Sequence, residues 1–180
     1  MDTHLKDLET DFITPTVPPV GIPVVDEAST DTTKQQDSIP SSVKVYLIGK
    51  KEIYGYIPAI YPYIKQVLDK SEESKAFDVG DIIELAMKGQ AHIWVFMDDA
   101  VRAVAVTQIT QKAKHRTFVW WLYSGENYFI PKYVDAMAAW AKERFDCKYI
   151  ETFARPGLAK QLDETLGFKR REIRCTREIL

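Results

Sequence analysis

The stretch from Thr117 to Phe153, TFVWWLYSGENYFIPKYVDAMAAWAKERFDCKYIETF, decides how the rest of the chain is read. It opens with Phe118, Val119, Trp120, Trp121 and Leu122, apolar on both faces of an extended backbone, and so predicts a strand over 117–123 that is central in a sheet. Pro131 suits a first helical turn, and Val134, Met137, Ala138, Ala141 and Phe145 recur at three and four residues. That spacing predicts a long helix over 131–145 with one apolar face. Lys148 to Phe153 then reads as a short strand.

Working upstream, Val43, Val45 and Leu47 alternate with Lys44 and Tyr46, a half-buried strand ended at Gly49. Ile57, Ile60, Ile64, Val67 and Leu68 predict a helix over 57–70 with Pro58 in its first turn. Asp78 as N-cap and Gly89 as stop bracket a second helix. His92 to Asp98 and Val101 to Gln111 form a hairpin across Asp98-Asp99, and Lys114-His115-Arg116 is a cationic hairpin turn rather than a base. Downstream, Gly157 to Leu166 is a small helix closed by Gly167. Phe168 to Ile179 is a last strand whose second face carries the basic stripe Lys169, Arg170, Arg171, Arg174 and Arg177. The predicted order, β-α-α-β-β-β-α-β-α-β, is α+β with one mixed sheet flanked by about four helices, in a domain over 43–180.

Composition narrows the chemistry. With 180 residues, 46% hydrophobic and 28% charged, the chain has enough apolar matter for one core without a disulfide or metal staple. Cys147 and Cys175 are too few for a disulfide framework, and His4, His92 and His115 lack metal-ligand spacing, so no metal site is expected. No run approaches the roughly 20 apolar residues that span a bilayer, and no positive patch precedes an apolar stretch at the N-terminus. A soluble, non-secreted, intracellular chain is expected. The net charge of −2 makes nucleic-acid binding unlikely, but its distribution is uneven. Met1 to Lys44 carries three lysines against eight acids, and the remainder carries 21 basic against 18 acidic residues.

That acidic segment also holds five of the nine prolines and a single aromatic, Phe12. It cannot build a core alone, so residues 1–42 read as an extended arm. Its apolar strip, Phe12, Ile13, Val17, Val20, Ile22, Val24 and Val25, is suited to lie along a neighbouring protein subunit of a larger assembly.

The element order resembles the GNAT superfamily, the acetyl-CoA-dependent N-acetyltransferase fold, across Val43 to Leu180. Ala139-Trp140-Ala141-Lys142 looks like the family's long-helix ending, and Leu166-Gly167-Phe168 like its corner before the final strand. The resemblance implies a mostly antiparallel mixed sheet that splays beside the 117–123 strand to admit substrate. It also implies a Q/R-x-x-G-x-G/A loop whose backbone amides hold the CoA pyrophosphate, where a side chain would block close approach. Counting back from Lys142 puts those positions at Gly125, Tyr128 and Ile130, and none matches. The family's proton-donating tyrosine falls at Asp163, where an exposed carboxylate is ionised at neutral pH and a poor acid. Ala159 is retained.

Two readings follow. The first is a non-catalytic GNAT-fold assembly protein, similar to degenerate copies among tailed bacteriophages, residing in a virion or host cytoplasm and using no cofactor. The alternative is an active N-acetyltransferase with a divergent loop. In that case Leu122, Tyr123, Gly125, Asn127, Tyr128 and Phe129 would border acetyl-CoA, and Glu126, Glu151 and Asp163 would be the carboxylates available for proton transfer. The paired Trp120 and Trp121 are expected in the core. No nucleophile elbow, phosphate loop or cysteine–histidine pairing is present to favour another chemistry.

Overall fold

A computed structural model of the protein describes residues 43–71, 75–125, 129–153 and 156–169. The strands β1 (Lys44–Leu47), β2 (His92–Met97), β3 (Val101–Gln111), β4 (Arg116–Gly125) and β5 (Cys147–Thr152) form one sheet in the order β1-β2-β3-β4-β5. Neighbours from β1 to β4 are antiparallel, and β4 and β5 are parallel. The crossover between the parallel pair is the helix α3 (Phe129–Phe145). The expected α+β architecture with a mixed, mostly antiparallel sheet is therefore the observed one.

Alternation along the strands builds two cores, one on each face. Trp94, Phe96, Ala103, Ala105, Phe118 and Trp120 meet α3 and α4 (Pro156–Leu166), where Val134, Met137, Ala141 and Leu162 are buried. Ile93, Val95, Val104, Val106 and Leu122 meet α1 (Ile53–Asp69) and α2 (Val79–Lys88). Met137 and Ala141 lie fully buried and Phe145 packs at the rim, as the helical spacing predicts. Truncating Met137 to alanine would cost about 2–5 kcal/mol.

Helix ends follow their chemistry. Asp81 N–H donates to Asp78 Oδ1 at 2.9 Å and Asp78 N–H to Asp81 Oδ2 at 2.8 Å, a reciprocal cap for α2. Gly89 (φ 76°) closes that helix and Gly167 (φ 66°) follows α4. The β2–β3 turn is held by Asp98, whose carboxylate accepts from Arg102 Nε at 3.0 Å and Nη2 at 3.1 Å and from Ala100 N–H at 3.1 Å.

Three expectations need correction. α1 begins at Ile53, not at 57, so Pro58 and Pro62 are both interior. Each proline removes a backbone donor; both are exposed, so the freed carbonyls face water, and burial of Ile53, Ile60, Ile64 and Leu68 holds the helix. α3 begins two residues before Pro131, which still falls in the first turn, where no intrahelical donor is required. β4 extends to 116–125 because β3 accompanies it from Gln111 to Ala103. Of the strand expected over 168–179, residues 170–179 lie outside the described residues, as does the arm over 1–42.

Candidate active site

The functional geometry centres on the carboxyl end of β4. Its parallel register with β5 runs from Arg116↔Cys147 to Trp120↔Thr152 and ends there. β4 continues to Gly125 with β3 as its neighbour among the described strands. Trp121 is the extra residue of a bulge, since Val106 faces Leu122 and Thr107 faces Trp120. A bulge bends its strand and sharpens the local twist, and this one falls immediately past the last rung that β4 shares with β5. α3 follows β4 and α4 follows β5, so both helices start at this open end. Crevices at the carboxyl ends of parallel strands, bordered by helix starts, are where α/β sheets take ligands.

Aromatic rings line the α3/α4 side. Trp120 meets Tyr123 at 6.0 Å between centroids, Tyr123 meets Phe96 at 6.0 Å, and Phe96 meets Tyr133 at 5.5 Å, all edge to face. Tyr133 is buried, donates its hydroxyl to Val43 O, and has its ionisation pushed up by burial. On the other side Ser124 Oγ donates to Gln66 Oε1 at 2.9 Å, Tyr63 donates to Val101 O at 2.6 Å, and Phe77 packs on Trp121 at 4.9 Å. These contacts fix the end of β4 and the start of β3 to α1, and Trp121 to the residue before the α2 cap.

The residues singled out from sequence are distributed as follows. Leu122 is buried toward the α1/α2 core, and Tyr123 is half-buried on the α3/α4 side. Gly125 ends β4 at φ 129°, with Ala103 Cβ only 2.4 Å from where its own Cβ would stand. Close backbone packing thus dictates glycine there, a reason that counting back from Lys142 does not supply. Phe129 opens α3, while Glu126, Asn127 and Tyr128 lie outside the described residues. Glu151 faces Val119, one rung before the register ends, and its carboxylate pairs with Lys112 from the β3–β4 turn. Asp163 is exposed on α4. Trp120 is buried as expected, whereas the bulge leaves Trp121 half-buried. Cys147 is buried and free, and burial pushes its thiol up despite Arg116 nearby, so it is a poor nucleophile.

No protein-family model matches the sequence, and no curated protein does. The structure, however, superposes on solved acetyltransferases. An aminoglycoside acetyltransferase, meta-AAC0020, from an uncultured soil metagenomic sample matches with a TM-score of 0.59 at 9% identity, covering 79% of this chain and 100% of its own. The ribosomal-protein-alanine N-acetyltransferase of Brucella melitensis biovar Abortus 2308 matches at 0.53 and 14%, covering 76% and 99%. The aminoglycoside 6'-N-acetyltransferase AAC(6')-Ih of Acinetobacter baumannii matches at 0.55 and 13%, covering 76% and 99%. The fold is that of the GNAT acetyltransferases. Beside the strand preceding the long helix, the pairing with β5 ends at the Trp120–Thr152 rung, where β5 itself ends, and β4 runs on alone on that side to Gly125. The bulge at Trp121 and the Ser124–Gln66 clamp are the features that sequence reading misses, because neither leaves a local signal. Among the described residues no helix is long and apolar enough to cross a membrane.

Proposed function

We propose that the chain is an acetyl-CoA-dependent N-acetyltransferase with a divergent CoA-binding loop. The observation that carries this reading is the end of the β4–β5 register at Trp120–Thr152, with β4 running on to Gly125 and α3 and α4 both starting at that end. A strand edge that parts from its neighbour offers backbone donors and acceptors to an extended amide-bearing chain, and those groups do not depend on residue type. The loss of the loop glycines is therefore compatible with binding along β4, and the start of α3 lends partial positive charge to a phosphate. A non-catalytic virion role draws no support from the structure or from the comparisons, and the three solved structures named above are acetyltransferases.

The thioester of acetyl-CoA supplies the acetyl group when bound. The acceptor amine forms the new C–N bond, the C–S bond breaks with its electron pair leaving on the CoA sulfur, the amine gives up one proton, and the CoA thiolate takes up one from solvent to leave as free thiol. Glu151, one rung before the register ends, and Glu126 are the carboxylates proposed to accept the amine's proton. Calorimetric titration with acetyl-CoA, followed by release of free CoA thiol in the presence of a panel of aminoglycosides and peptide amines, tests the reading. Micromolar binding is expected. Absence of heat at millimolar acetyl-CoA overturns it, and Glu151→Gln and Glu126→Gln separate the two carboxylates by loss of turnover.

A further inference from the structure

We propose that the indole N–H of Trp120 is a hydrogen-bond donor to a carbonyl oxygen of the acylated pantetheine chain at the last rung that β4 shares with β5, an assignment that rests on the acetyltransferase reading above. Trp120 is 4% exposed, and its Nε1 finds no hydrogen-bond partner among the described residues. A buried indole N–H almost always finds an acceptor, because leaving it unmade forfeits the water it had in the unfolded chain. Trp94, which projects into the same core, shows the ordinary solution: its Nε1 donates to Thr107 Oγ1 at 2.9 Å. Thr107 on β3 and Thr152 on β5 stand directly beside Trp120 in the register, yet neither takes its proton.

Position gives that unused donor a direction. Trp120 is the last residue of β4 that pairs with β5, and its ring packs against Tyr123, three residues further along and beyond the end of the register. The ring therefore stands on the face shared by α3 and α4, beside Tyr123 at the open end, and we place there the carbonyls of a chain bound along β4. Pantetheine carries two amide carbonyls, and the acetylated form adds a thioester carbonyl. Each is an acceptor of the kind the indole lacks.

Trp120→Phe removes the donor and keeps an aromatic ring in the core. Replacement of Trp120 by 3-benzothienylalanine removes only the N–H and keeps the bicyclic shape, which guards against a phenylalanine variant that fails to fold. Titrations of the full chain and both variants with acetyl-CoA and with CoA read the outcome. A Kd for acetyl-CoA weakened between about twofold and tenfold is expected, the range of one neutral hydrogen bond. Weakening for acetyl-CoA alone places the bond on the thioester carbonyl, and equal weakening for both ligands places it on a pantetheine amide. An unchanged Kd for both ligands in the benzothienyl variant overturns the assignment while leaving the acetyltransferase reading standing. Failure of the parent chain to bind either ligand overturns both.

Discussion

Gly125 is the residue where a single methyl group should matter most. It ends β4 at φ 129°, a backbone region that residues with a Cβ scarcely enter, and an added Cβ would stand 2.4 Å from Ala103 Cβ, 2.5 Å from Ala103 Cα and 2.6 Å from Arg102 O. Two of those three obstacles are backbone, which cannot rotate aside. Gly125→Ala therefore incurs backbone strain of about 1–3 kcal/mol and overpacking of about 1–3 kcal/mol. The sum, roughly 2–6 kcal/mol, is a large part of the ~5–15 kcal/mol that holds a domain folded. At about 2–4 °C per kcal/mol for a chain of this size, Tm should fall by at least ~4 °C. Thermal and urea unfolding followed by circular dichroism measure it. Adding Ala103→Gly removes the Cβ–Cβ clash but neither the backbone obstacles nor the strain, so the double variant should recover only part of the loss. A Gly125→Ala protein melting within ~2 °C of the parent refutes the reasoning and removes close packing as the cause of glycine at this site.

The remaining expectations concern other parts of the molecule. Asp146, just past the C-terminus of α3, is the one non-glycine residue with positive φ (53°) among the described residues; Asp146→Gly relieves that conformation and should raise stability by up to ~1 kcal/mol, read as an upward shift in urea midpoint. His92 packs against Trp140 and Phe145, and burial lowers its pKa from 6.5. The unfolded chain then binds a proton more readily than the folded one, so its contribution to stability is present above pH ~6.5 and declines as pH falls from there toward the depressed folded value. Tm measured between pH 7.5 and 5 should drop less steeply for His92→Gln than for the parent. Deletion of residues 1–42 should leave the circular dichroism of the body intact, because that proline- and acid-rich segment has too little apolar matter to build a core of its own; an unfolded truncation would make the arm part of the core. The parallel proposal, that Phe12, Ile13, Val17, Val20, Ile22, Val24 and Val25 dock on a partner subunit, predicts that the same deletion changes the sedimentation of any assembly the full chain forms.

The sequence by itself determined the order of the elements from β1 to α4, the apolar face of the long helix and both ends of α2. Asp78 and Gly89 act through atoms within a few residues, and the repeats of Val134, Met137 and Ala141 carry their own period, so short-range chemistry was enough to place them. Tertiary structure alone decided where the pairing of β4 with β5 ends. That point lies beside a bulge at Trp121, created by pairing with Val106 and Thr107 some fifteen residues upstream, and depends on a register with β5 that no local pattern encodes. The same holds for Trp120: a tryptophan in an apolar strand reads as core, and only the arrangement of its neighbours shows that Trp94 has an acceptor and that Trp120 has none among the described residues. Gly125 lay in a segment that a motif count had treated as a failed phosphate loop. Its necessity comes from the approach of Ala103, a contact across the sheet that no linear spacing could show.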